Sequence, residues 1–248
     1  MLDRVLEVMF PRRCAGCDAG PWPFCPDCRS ALVVLAPPWC ERCGRPWRTS
    51  VVRCRDCPPA ALSGARAPFA FEGPARRAIH RLKYSGWRGV GDALARAMVA
   101  SGPRPPVEVV TWVPLGRRRL AERGFDQARV LAQGVAGELG LPCIRLLRRA
   151  VSSAPQARRS GAERRVALLG GFQPVIGARA RGEGGMDRVL LVDDVLTTGA
   201  TAGACAQALL AGGARAVHLL AAARAFNGSA YTRAGSRPGL WLPGGAPR

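Results

Sequence analysis

Eight of the ten cysteines in this 248-residue chain fall in its first quarter as four Cys-x-x-Cys pairs: Cys14 and Cys17, Cys25 and Cys28, Cys40 and Cys43, Cys54 and Cys57. Two residues between cysteines favour a turn that aims both sulfurs at one point, which suits a metal knuckle better than a disulfide framework. A tetrahedral zinc ion takes two thiolates from each of two knuckles. The separations of 7 residues from Cys17 to Cys25 and 10 from Cys43 to Cys54 suit neighbouring knuckles sharing an ion, so two four-cysteine sites paired in sequence order are expected. Spacing alone also admits the crossed pairing, first knuckle with third. Neither set leaves an open coordination position. The zinc is therefore structural, replacing a core that ~60 residues can barely supply. Trp22, Phe24 and Trp39 are expected to pack over the knuckles, while Cys143 and Cys205 stand alone.

Beyond about Ala61 the pattern changes. Strand-like stretches (65–71, 107–114, 142–147, 188–195 and 214–223) alternate with helical ones (74–82, 91–100, the segment carrying Phe125, Ala128, Ala132, Val135 and Leu139, and 201–213). A basic loop is expected after Pro114 and a mobile loop over 149–165. Strands alternating with helices imply a parallel α/β sheet wound on both faces, with ligands at the carboxyl ends of its strands. The organisation expected is a zinc-ribbon domain over 1–60, an α/β domain over 61–226 and a disordered tail over 227–248. At 48% apolar and 22% charged residues the chain has the composition of a globular protein. No apolar run approaches the ~20 residues of a membrane span, and the N-terminus lacks secretory-signal features. A cytoplasmic location is expected.

Arginine and lysine exceed aspartate and glutamate by 37 to 17, a formal net charge of +20, and Lys83 is the sole lysine. Such an excess favours polyanions, either nucleic acid or phosphorylated metabolites. Scattered arginine can equally reflect a compositional bias of the whole chain.

Most of the chemistry lies in VLLVDDVLTTGAT, from Val189 to Thr201. Four apolar residues build a buried strand, and Asp193 and Asp194 at its end are costly unless they bind something. Vicinal ribose hydroxyls are fitting partners. The small, hydroxyl-rich run after them leads into a helix N-terminus, whose N–H groups and dipole can hold a phosphate.

This segment resembles the phosphoribosyl pyrophosphate (PRPP) signature of type I phosphoribosyltransferases. With the four cysteine pairs, FEG from Phe71, IHRLKYSG from Ile79, VPL from Val113, RGFDQ from Arg123 and the dipeptide Pro155-Gln156, the chain resembles the ComF family of competence-associated phosphoribosyltransferase-like proteins. The resemblance implies a type I phosphoribosyltransferase-like fold, parallel with helices on both faces, behind a double zinc ribbon. It implies that Asp193 and Asp194 contact the ribose, that Thr197, Thr198, Gly199, Ala200 and Thr201 cradle the 5′-phosphate, and that Pro114, Leu115, Gly116 and Arg117 lie near the pyrophosphate. Gln156 and Arg164 fall in the corresponding hood loop. Lys83 is a candidate for the phosphates, and the neighbouring arginines Arg118, Arg119 and Arg123 supply further donors. Mg²⁺ would accompany PRPP. The implied activity is phosphoribosyl transfer with release of pyrophosphate; the alternative is a catalytically weak PRPP-binding scaffold. Single-stranded DNA and a competence helicase-type protein are the implied partners. Two departures from the family pattern are Asp126 and Ala167, where the family usually has Asn. Asp126 keeps an acceptor but loses an amide donor and adds negative charge, and two readings of the departures stand open: cap or loop bracing by the family's Asn, or altered recognition of the acceptor substrate.

Overall fold

The protein is described from a computed structural model over residues 13–84, 87, 89–150, 171–175 and 187–226. Gln156, Arg164, Pro155, Ala167 and the tail from 227 lie outside the described residues.

Strand β6 (Arg188–Leu196) forms because Val189 to Val192 are apolar on both faces, the signature of a strand covered on both sides. It pairs in parallel with β7 (Ala216–Arg224) on one side and β3 (Val109–Trp112) on the other. Beyond β7 lie β1 (Gly64–Arg66) and β2 (Phe69–Ala70), both parallel to it, so the sheet runs β1, β7, β6, β3. The single strand expected over 65–71 is thus two short ones. Pro68 between them has no N–H for a ladder, and its carbonyl accepts instead from Leu35 N at 2.8 Å.

Helices α2 (Gly73–Tyr84), α3 (Gly89–Val99) and α5 (Gln127–Leu139) cover one face, with Ile79, Leu82, Leu94 and Leu131 packed on Leu190 and Val192. Helix α6 (Ala200–Ala211) covers the other, meeting Val189 and Leu191. This is the doubly wound parallel sheet expected from the alternation.

The cysteine knuckles join these cores. Helix α1 (Pro26–Ser30) follows Cys25, and Cys14, Cys25, Cys28 and Phe24 pack with α2, α3 and α5. Cys40, Cys43 and Cys54 pack with α6 and the opposite face of the sheet. Trp22 rests against the first cluster, and Trp39 lies beneath the Arg66 guanidinium, 5.2 Å from ring centroid to Cζ.

Two local expectations are corrected. The basic loop after Pro114 contains a helix, α4 (Arg117–Arg123), because RRRLAER is made of good helix formers between Gly116 and a left-handed Gly124. The strand expected over 142–147 is reduced to one bridge, Val110 with Cys143. That segment follows the edge of β3 until Leu146 N turns to the Thr111 hydroxyl at 3.2 Å. It then forms β4 (Leu147–Arg149), antiparallel to β5 (Phe172–Pro174). Among the described residues, no helix is long and apolar enough to cross a membrane.

Candidate functional site

The sulfurs gather as Cys14, Cys17, Cys25 and Cys28 in one cluster and Cys40, Cys43, Cys54 and Cys57 in the other, each within 4.8 Å. Geometry therefore selects sequence-order pairing and excludes the crossed one. A tetrahedral zinc with ~2.3 Å bonds separates its sulfurs by about 3.8 Å. The observed Cys17–Cys25, Cys40–Cys57, Cys43–Cys54 and Cys54–Cys57 distances are 3.6, 3.5, 3.6 and 3.7 Å. Both all-sulfur sets fit zinc. Backbone N–H groups favour the thiolates: Gly16 and Cys25 each donate to Cys14 Sγ at 3.3 Å, and Cys54 donates to Cys40 Sγ at 3.2 Å. Burial pushes the Cys14 thiol up, but backbone donors outweigh it and bring it down to about 6. At Cys40 burial likewise pushes the thiol up, and the Cys43 and Cys54 backbone amides outweigh it and bring it down to about 7.

The vicinal carboxylates occupy successive positions of β6 and so project to opposite faces. Asp194 projects toward the helices of the first core. Its Oδ1 accepts from Lys83 Nζ at 2.8 Å, and its Oδ2 accepts from Gln127 Nε2 at 2.8 Å. Lys83, offered by the sequence as a phosphate donor, thus stands on Asp194, where it offsets a carboxylate only 8% exposed. Gln127 is a participant that sequence reading left unassigned, although it closes the RGFDQ motif. Its own Oε1 is buried without a partner among the described residues. Asp193 is half-buried and accepts from Asp194 N at 2.8 Å. Burial, then the charge of Asp194, hold the Asp193 carboxyl well above the usual carboxylate range.

Immediately beyond, Thr197 and Thr198 are exposed, Gly199 is buried, and α6 begins at Ala200. Gly199 adopts φ 77°, left-handed geometry that turns the chain from strand into helix. The Thr198 hydroxyl accepts from Ala200 N at 3.3 Å, and Gly203 N donates to Gly199 O at 2.7 Å. Among the described residues no carbonyl accepts from the N–H groups of Thr197, Thr198 or Gly199. The arrangement can hold an anion: free N–H groups at the positive end of a helix of twelve residues.

On the β3 side, Pro114 is buried, Leu115 and Gly116 are half-buried, and Arg117, Arg118 and Arg119 are exposed. Asp126 caps α5, accepting from Ala128 N at 3.1 Å and Arg129 N at 3.4 Å, while its second oxygen accepts from Leu115 N at 3.0 Å. It is a cap and a brace for the loop after β3, roles requiring only acceptors. Arg118 pairs along its helix with Glu122 at 2.9 Å, and Arg123 lies over Tyr84, 4.8 Å from the ring. Arg149, not singled out from the sequence, places its Cδ 3.6 Å from where a Cβ on Gly116 would stand. Only the hairpin of β4 and β5 brings it there.

Residues 5–58 match the family model of the double zinc ribbon domain. The chain is 30% identical over 213 residues to the DNA utilization protein YhgH of Escherichia coli (strain K12), covering 81% of this chain and 89% of that protein. It is 28% identical over 197 residues to competence protein ComFC of Bacillus subtilis (strain 168), covering 75% and 77%. Among solved structures it is similar to the glutamine phosphoribosylpyrophosphate amidotransferase of B. subtilis complexed with ADP and GMP. That likeness has 22% identity and a TM-score of 0.40, covering 58% of this chain and 30% of the other.

Proposed function

Because the chain belongs to the ComF family, we propose that it binds PRPP with Mg²⁺ and transfers the phosphoribosyl group to an acceptor, releasing pyrophosphate, in DNA uptake or use. One observation carries the reading. The carboxyl end of β6 delivers two adjacent carboxylates, one of them held by Lys83 and Gln127, directly into a hydroxyl-rich loop and a helix N-terminus.

In this reading Asp193 and Asp194 accept from the ribose hydroxyls. Lys83 and Gln127 fix the Asp194 carboxylate beforehand, so less ordering is left to the ligand. The N–H groups of 197–201 hold the 5′-phosphate, with the helix dipole aligned to it. The loop from Pro114 to Arg117 faces the pyrophosphate, beside Arg149. Mg²⁺ would be carried mainly by ligand oxygens and water, with Asp193, which among the described residues has no cation paired to it as Lys83 is to Asp194, the carboxylate to face it. When bound, that ion neutralises pyrophosphate charge. The segment around Gln156 and Arg164 is assigned the hood that excludes water from the activated sugar. The acceptor is a base or another amine, and no protein nucleophile is required. The relatives' names, competence and DNA utilization, support a role with single-stranded DNA or a helicase-type partner. The exposed arginines of α4 are consistent with such a polyanion.

Isothermal titration of the zinc-loaded chain with PRPP and Mg²⁺, followed by an acceptor screen for pyrophosphate release, tests this. Binding with release is expected. Binding without release under every acceptor leaves a PRPP-binding scaffold, and no binding overturns both.

A further inference from the structure

The segment packed against the phosphate loop follows the fourth knuckle, in the second cysteine cluster. Cys57 is followed at once by Pro58 and Pro59. A Cβ on Gly199 would stand 2.8 Å from Pro58 Cβ, and one on Gly203 would stand 2.7 Å from Pro59 Cγ. The two prolines thus occupy the space that side chains at the loop and the first turn of α6 would need. Glycine inside a helix is unfavourable relative to alanine, and this close approach is the physical reason for it at 203.

The carbonyls of the same pair point elsewhere. Arg42, between Cys40 and Cys43, donates through Nη1 to Pro58 O at 3.1 Å and through Nη2 to Pro59 O at 3.1 Å and Leu62 O at 2.7 Å. Prolines have no N–H, and Arg42 takes both carbonyls. What faces the loop is therefore hydrocarbon that cannot accept from its N–H groups, which stay free for an anion. On the far side Arg224, at the end of β7, donates to Cys43 O at 2.8 Å, so the knuckle is anchored to the sheet as well.

We propose that Arg42 and the Pro58-Pro59 pair form a strut that holds the phosphate loop in its binding shape, making Arg42 a positioning residue for the 5′-phosphate. This rests on the reading of 197–201 as the phosphate loop. The strut touches no ligand. It acts by setting how far the loop backbone can withdraw, and by offering that backbone no competing acceptor.

The test uses the zinc-loaded full chain and ribose 5-phosphate, with affinity by titration calorimetry, zinc content and a thermal melt for each variant. Gly203→Ala drives a methyl into the rigid Pro59 ring and is expected to weaken binding about tenfold. In a Pro59→Gly background the same substitution is expected to add no further loss, because the ring it meets is gone. Arg42→Ala is expected to weaken binding several-fold with both zinc ions retained, and Arg42→Lys to recover part of it. A merely structural role would make the Gly203→Ala effect the same in both backgrounds. That equality, or parent-like affinity in Gly203→Ala and Arg42→Ala, overturns the strut while the phosphate loop stands. Failure of the parent to bind ribose 5-phosphate overturns the loop reading and the strut with it.

Discussion

The two cysteine clusters share a four-thiol ligand set built from Cys-x-x-Cys knuckles, yet they support opposite halves of the site. The first lies under α2: Arg81 donates to Cys14 O at 2.6 Å and Arg77 to Gly16 O, so the knuckle backbone grips the helix that carries Lys83 in its last turn. Its reach extends to Asp194 through that lysine. The second lies against α6 and reaches the phosphate loop through Pro58 and Pro59, with Arg224 tying it to β7. Chemistry that is the same in both becomes different work because the β6 strand turns its two terminal carboxylates to opposite faces. A short metal-stabilised segment can brace a site wherever its carbonyls meet an arginine from the main sheet or its helices.

The strongest way to break this comparison is to remove metal from one cluster at a time. Each site should hold one zinc, and structural zinc contributes ~10–16 kcal/mol in small peptides, comparable with the whole stability of a domain. Cys14→Ser and Cys40→Ser are each expected to lose one equivalent and lower the melting temperature by more than ~10 °C. Cys143→Ser should change it by no more than a few degrees. Metal analysis and calorimetric melts decide, and loss of both ions from either variant would merge the two clusters into one unit.

A smaller effect sharpens the division between the carboxylates. Lys83 and Asp194 are 17% and 11% exposed at their side chains, so Lys83→Met strands a buried charge and should destabilise by ~3–5 kcal/mol. Asp193→Asn should do the reverse. Its folded pKa is raised above the unfolded value, so the folded state holds the extra proton between the two. Stability contributed by the protonated group is present below the unfolded pKa of ~3.9 and falls as pH rises toward the folded value. Asp193→Asn removes that fall. It should melt higher than the parent at pH 7, show a flatter stability profile above pH 4, and bind PRPP more weakly. Equal melts for the two variants would erase the distinction between the faces.

The smallest expected effect concerns Asp126. Asp126→Ala removes the α5 cap and the acceptor for Leu115 N, at ~0.5–2 kcal/mol, whereas Asp126→Asn keeps one acceptor oxygen for the cap, sets an amide NH2 against Leu115 N and should fall between the alanine variant and the parent. Denaturant unfolding compares them. A loss in the Asn variant as large as in the alanine variant would mean that the contact with Leu115 N, and not the α5 cap, is what position 126 mainly supplies.

Covalent spacing and hydrophobic period are local properties, and what depends on them is legible in the amino-acid order itself. Four Cys-x-x-Cys turns specify their own sulfur geometry, Val189 to Val192 specify a strand buried on both faces, and the Thr-Thr-Gly run specifies a tight passage into a helix. The shortened strands trace to Pro68 and to the edge of β3, where hydrogen-bond partners outside the segment decide where the chain leaves the sheet. The partners of the carboxylates depend on contacts made across the whole chain. Lys83 meets Asp194 across 111 positions and Gln127 meets it across 67, so no local window could distinguish a phosphate donor from a counter-charge. The choice between the two zinc pairings and the contact of Pro58 with Gly199 have the same origin. Each is settled by which elements the sheet and helices bring together, and that is a property of tertiary packing alone.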